Sequence, residues 1–365
     1  MFFSERHPGL RPIPMPNNMG MVRYALALIV VMAHFQLLTG YSLAFPFSSF
    51  SAVGGFFALS GFLIYGSFIR KPDLKAYVIS RARRLLPAYW ITVLFFAIVL
   101  CAVSSLSVSD YFTSASFRRY LVSNLAFLNF LQPTLPGVFE GFEHDAVNGS
   151  LWTLKVEWCL YFSVPAVAWL TRRLKARPTV MFVAIYLAAC VYRMIFLYLY
   201  GETGSKVYEI LGRQFFGQLS YFYAGVLCYY WFDLLMRYKW PVIAVAVSVI
   251  LTVDALPYDF FIFLHPAALA VIVVWFSMVG KWGTWEGKRD NVSYNIYLIH
   301  FPVIQVYVFL GGSRTFGLVP SLVICLCVIF VMSWLLSLAE LRIRRHLGAE
   351  SRPGKRRLFF VRRIR

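Results

Sequence analysis

Of 365 residues, 60% are hydrophobic and only 14% charged, about half the charged share that keeps the surface of a soluble domain wet. The net charge of +19 invites a nucleic-acid reading. The cations, however, are sorted by segment along the chain rather than gathered on one domain, and this excludes it. Apolar runs of about 18–22 residues match a ~30 Å hydrocarbon core at ~1.5 Å per helical residue, so the sequence predicts an all-α, polytopic integral membrane bundle of about ten transmembrane helices.

Taken in chain order, residues 1–20 form a Pro-rich, polar tail without a signal-peptide pattern. Spans are predicted at 21–38, 50–69, 87–107, 152–170, 179–199, 213–233, 241–254, 260–279, 293–310 and 318–340, within one membrane domain at 21–340. Residues 341–365 are a basic tail expected to lie on anionic lipid. The segment 70–86 has apolar residues at helical spacing with cations between them, and reads as a short amphipathic helix along the membrane interface. The longest connection, 108–151, carries aromatics and the acidic residues Glu140, Glu143 and Asp145. It reads either as a plain connector or as a cap over an external substrate.

With the N-terminus inside, 27 of the 35 Lys and Arg fall in inner segments, and only Arg118, Arg119, Lys206 and Arg314 in outer ones. The positive-inside rule then predicts that both termini are cytoplasmic and that 108–151 is external. All six cysteines fall within predicted spans and match neither a zinc pattern nor a disulfide framework, so they read as small apolar residues.

Titratable groups inside hydrocarbon are costly and mark functional cavities. The predicted spans place Arg23, His34, Lys155, Glu157, Arg193 and His300 there, with Arg213 at an edge. Counting helical rise, His34 lies ~20 Å above the inner end of the first span and Glu157 ~8 Å below the outer end of the fourth. This predicts that His34, Glu157 and Arg193 share one level. Arg23 lies three turns below His34 on the same face. A histidine held by a carboxylate is a general base for a hydroxyl. His300, just before Phe301-Pro302, reads either as part of the site or as a partner for a backbone group freed by the proline. A carrier also buries such groups, usually with an inverted repeat and broken helices; no repeat is evident here. A scaffold or lipid-binding protein would leave the buried charges unexplained.

Five stretches resemble the acyltransferase family 3 integral membrane proteins, which O-acylate bacterial carbohydrates. They are Arg23 and His34 with ten residues between them; SAVGGFFALSGFLI at 51–64; RARRLLPAYW at 81–90; SLWTLKVEWCLYFSVP at 150–165, which supplies Glu157; and SYNIYLIHFPV at 293–303. They run in order across most of the chain. Gly54 stands where many members carry Asp, and Ser80 where a further Arg is common. The resemblance implies a multi-pass protein of the bacterial inner membrane that takes an acyl group, acetyl most commonly, from cytoplasmic acyl-CoA to a hydroxyl of a surface polysaccharide or oligosaccharide, in some cases lipid-linked. Acyl-CoA is then a substrate, and neither a metal nor a permanently bound cofactor is expected. It further implies His34 and Glu157 as the catalytic pair, and Arg23, Arg81 and Arg84 as donor contacts. For Arg81, Arg83 and Arg84 the other reading is lipid headgroup binding. Ser60, Arg193 and His300 are candidate oxyanion or acceptor contacts. His34 acts either as a base or as the acyl carrier in a two-step route.

Overall fold

The computed structural model describes residues 17–43, 48–252, 258–279 and 292–346. The remainder of both tails and the inner segment around Lys281, Lys288 and Arg289 lie outside the described residues. All regular structure among them is helical: α1 Met19–Thr39, α2 Ser49–Arg70, α3 Leu74–Val99, α4 Val108–Thr113, α5 Ala115–Leu125, α6 Trp152–Arg173, α7 Pro178–Thr203, α8 Lys206–Gly212, α9 Phe215–Tyr230, α10 Phe232–Arg237, α11 Lys239–Leu251, α12 Tyr258–Met278, α13 Val292–Phe309, α14 Gly312–Thr315 and α15 Leu318–His346.

Local chemistry sets several ends. Ser48 caps α2 by accepting from the Ser51 amide, and Asp73 caps α3 by accepting from the Ala76 amide. Gly40 ends α1 at φ +75°, a left-handed turn that glycine adopts without penalty, and returns its amide to the Gln36 carbonyl.

Among the described residues, seven helices are long and apolar enough to cross a membrane: α1, α2, α3 with its 3₁₀ extension to Val103, α7, the 261–278 part of α12, α13, and α15 to Ile343. This is a multi-pass helical membrane protein. The other three predicted spans exist as helices of different character. α6 has 22 residues but carries Lys155 and Glu157 near its start and Arg172 and Arg173 at its end; α9 has 16 residues and α11 has 13.

The segment 70–86 is not a separate interfacial helix. From Leu74 it is the first half of α3, which runs unbroken through Pro87 with Tyr77 and Leu85 buried. The cations on this half made it look like a surface element, but tertiary packing of its apolar stripe carries it into the bundle. The connection 108–151 is ordered. Tyr111 donates to the Ala97 carbonyl at 2.7 Å, Tyr89 to the Asn124 carbonyl at 2.5 Å, and Trp90 to the Leu125 carbonyl at 3.1 Å, fastening α4 and α5 onto α3. Burial raises the Tyr111 and Tyr120 phenol pKa values, so both hydroxyls stay neutral donors.

Two apolar clusters build the interior. One joins α2, α6, α7, α9 and α12; the other joins α3, α13, α15 and the 108–151 segment. α1 faces both, with Val22, Leu26 and Val30 in the first and Ala27, Val31 and Phe35 in the second. α13 does the same through Tyr297 and Leu298. In the first cluster α2 and α9 approach so closely that a Cβ on Gly61 would lie 1.9 Å from the Phe222 carbonyl oxygen, and one on Gly225 1.9 Å from that of Ala58. Reciprocal small residues are what allow two membrane helices to pack backbone to backbone.

Candidate functional site

Where the two clusters meet, α1, α2, α3, α6 and α13 leave a cavity of about 60 Å³, enough for a few waters. Phe56 and Tyr294, which pack against both clusters, form part of its wall. Its polar lining is Arg23 from α1, Ser60 from α2, Arg84 from α3, Thr153 and Glu157 from α6, and Ser293, Tyr294 and Tyr297 from α13. Glu157 Oε1 accepts from the Tyr161 hydroxyl one turn on, and from Ser60 Oγ at a long 3.5 Å. No ion pair to Glu157 forms among the described residues.

His34 is half-buried on α1 and faces α13. Its Nδ1 lies 3.1 Å from the Val30 carbonyl and 3.0 Å from Nε2 of His300, and the two rings are 5.0 Å apart. Phe301 meets its edge at 5.3 Å. Fully buried His300 touches Tyr297, whose ring also lines the cavity, so the imidazole pair sits behind one wall of the cavity.

The expected pairing of His34 with Glu157 is therefore replaced by His34 with His300. The cause lies in the chain before α6. Pro302 has no amide hydrogen, which leaves the Leu298 carbonyl without its helical donor. Asn148 fills the place, donating to Leu298 O at 2.8 Å, while Gln305 donates to the His144 carbonyl and Ser150 approaches Tyr297 O at 3.4 Å. Residues 144–150 thus descend along α13 from Gln305 to Tyr297, eight residues or about 12 Å, and α6 begins deep in the bundle. Glu157 lies a further turn along, past Thr153, which shares a 2.7 Å hydrogen bond with the Tyr297 hydroxyl. Counting from an outer end at Trp152 put Glu157 too high. Nor is His300 the partner of the proline-freed carbonyl; Asn148 is.

The remaining expected residues separate into two places. Arg81 packs over the Tyr77 ring at 5.8 Å and donates to Ser80 at 3.1 Å, outside the cavity lining but within electrostatic reach of Glu157. Arg193 is buried away from His34. Its guanidinium stacks on Phe50 at 5.2 Å and Tyr221 at 5.0 Å, and Nη1 has no hydrogen-bond partner among the described residues. Beside it stands His265, bonded to the Tyr221 hydroxyl at 2.9 Å and Ser51 Oγ at 3.3 Å. His265 falls inside the predicted 260–279 span, but no motif surrounds it and the sequence reading passed over it. His144, within electrostatic reach of His34, lies on no pattern a sequence reveals, whereas Tyr161 lies inside the 150–165 stretch, one helical turn after Glu157, a spacing that could have found it. Gly54, where the family often has Asp, is crowded by the Tyr221 ring, 2.7 Å from where a Cβ would stand.

A bundle of membrane helices with a polar cavity and a histidine pair at its seam is a membrane protein with an intramembrane polar site. The chain belongs to the acyltransferase 3 family, whose acyltransferase domain matches residues 17–338. Nodulation protein 10 of Rhizobium leguminosarum bv. viciae is 25% identical over 281 residues, covering 72% of this chain and 74% of that protein. An O-acetyl transferase of Shigella phage Sf6 is 24% identical over 336 residues, covering 87% and 93%. No solved structure matches the chain significantly.

Proposed function

We propose that this acyltransferase moves an acyl group, acetyl in the first instance, from acyl-CoA to a hydroxyl of a surface polysaccharide or oligosaccharide, from the bacterial inner membrane. The observation that carries the reading is the cavity itself. Two guanidiniums, a carboxylate and several hydroxyls line it inside a membrane bundle, and Tyr297 in its wall touches His300, the ring partner of His34. Family membership favours a transferase over a carrier, and the phage relative's name supplies the acetyl group and the oxygen acceptor.

In this reading Arg23 and Arg84, with Arg81 beside them, attract the anionic donor. His34 Nε2 removes the proton of the acceptor hydroxyl as its oxygen attacks the thioester carbonyl. In this reading Ser60, in the cavity lining, turns from Glu157 to donate to the developing oxyanion, while Arg193, stacked on Phe50 and Tyr221 outside the lining, takes no part. The cavity is too small for a thioester arm, so donor entry requires its wall to move.

The test is transfer from radiolabelled acetyl-CoA by the purified protein in lipid vesicles, with surface polysaccharide from a deletion strain as acceptor. Label in polysaccharide supports the reading. Absence of label with acetyl-CoA and with longer acyl-CoA donors, from correctly folded protein, would refute it. Mass spectrometry of surface glycans from the deletion strain identifies the modified hydroxyl.

A further inference from the structure

His300 is buried completely, makes two hydrogen bonds through its ring, and touches no cavity. We propose that His300 is a positioning residue for His34 which, together with the Val30 carbonyl, holds it in the tautomer and orientation that leave Nε2 bare to receive a proton. The inference rests on the transferase reading and identifies what orients its base.

The argument is one of donor and acceptor counting. A neutral imidazole has one N–H and one lone pair, and a backbone carbonyl only accepts. His34 Nδ1 lies 3.1 Å from the Val30 carbonyl, and His300 Nδ1 lies 3.2 Å from the Ile296 carbonyl. Both Nδ1 atoms must therefore carry the hydrogen. His300 Nε2 is then bare, and at 3.0 Å it accepts from His34 Nδ1, whose hydrogen is shared with Val30. The opposite assignment would set a lone pair against each carbonyl. With its hydrogen on Nδ1, His34 presents a bare Nε2, which has no hydrogen-bond partner among the described residues. Phe301 against His34 and Tyr297 against His300 keep the rings from turning.

The chemistry balances. As the acceptor oxygen bonds to the acyl carbon, its proton passes to His34 Nε2. The tetrahedral adduct collapses with cleavage of the carbon–sulfur bond, and the same proton passes from Nε2 to the departing thiolate. Nδ1 keeps its hydrogen throughout, and its bond to His300 strengthens while His34 is an imidazolium. An imidazole here does what a carboxylate does in a serine hydrolase, without placing another ionised group in the membrane interior.

Two variants separate positioning from packing. His300→Gln offers an amide oxygen where Nε2 accepts; His300→Phe fills the space and accepts nothing. Each is assayed with acetyl-CoA and the deletion-strain polysaccharide. Solid-state nitrogen NMR on histidine-labelled protein in bilayers, with His34→Gln to assign the signal, reads the tautomer directly. The expected result is His34 with hydrogen on Nδ1 and a bare Nε2. In His300→Phe the Val30 carbonyl alone is left to accept from Nδ1, so the share of the other tautomer rises, kcat falls about tenfold or more, and the acetyl-CoA KM stays within about twofold. His300→Gln recovers at least about a tenth of the lost rate. Hydrogen on His34 Nε2 in the wild type overturns the proposal, as does an unchanged kcat in His300→Phe, or equal loss in both variants at wild-type thermal stability. If the wild type transfers nothing from any acyl-CoA, the transferase reading alone fails, and the NMR arm still decides the tautomer. If His300→Phe does not fold, the wild-type spectrum and the glutamine variant decide.

Discussion

Two groups govern the chemistry at the scale of single residues, and the structure assigns them different surroundings. His34 has an open nitrogen and no role in either apolar cluster. His34→Gln should therefore abolish transfer, by at least about a hundredfold, while shifting the melting temperature by no more than a few degrees; a variant with more than a tenth of wild-type kcat argues against the base. Glu157 is the only acidic group among the polar residues that line the cavity, which also hold Arg23 and Arg84. Glu157→Gln removes the counter-charge. At roughly 10 Å and an effective dielectric of ~20, one charge is worth on the order of 1–2 kcal/mol, so the anionic donor should bind about fivefold or more tightly. Because Glu157 does not touch His34, KM should move more than kcat. A steep loss of kcat with unchanged KM would restore a direct coupling between the two.

Between elements, two contacts decide whether the site forms. The first joins α13 to the chain before α6. Asn148→Ala leaves the Leu298 carbonyl buried without a donor, at a cost of about 1–3 kcal/mol, seen as a lower melting temperature and easier proteolysis within 140–151. Pro302→Ala gives residue 302 an amide that bonds the same carbonyl within the helix. The double variant should thus lose less stability than the sum of the two single variants; strict additivity would show that Asn148 and Pro302 do not serve one carbonyl. The second contact joins α2 to α9. Gly225→Val forces the two backbones apart at Ala58, and overpacking of this kind costs about 1–3 kcal/mol or more. The expected readout is loss of the monodisperse peak in detergent, whereas at Gly201, where a Cβ meets nothing within 4 Å, alanine should behave as wild type.

Across the whole molecule, the arrangement of charge predicts orientation. In a background without the six native cysteines, a cysteine at position 143 on the exposed part of the 108–151 segment should react with an impermeant maleimide in intact cells. Labelling only after permeabilisation would reverse the topology. The helical membrane class, the family and most of the spans were legible from the sequence alone. Apolar runs sized to the bilayer and segment-sorted cations are one-dimensional properties, and the Arg23–His34 spacing and the four other motifs are read along the chain. The individual polar residues of the site were legible too, because an ionisable group inside hydrocarbon stands out against its neighbours. Which of them meet was not. Depth counted along one helix assumes that the helix starts at the membrane surface, and α6 starts about 12 Å along α13 because Pro302 left a carbonyl that Asn148 answers. The His34–His300 pair joins residues 266 positions apart, and its geometry depends on how α1 lies against α13. The sequence by itself determined what kind of solvent surrounds this chain and which side chains are out of place in it. Only the tertiary structure decided which of those side chains became partners, since partnership depends on interhelical distances that no periodicity encodes.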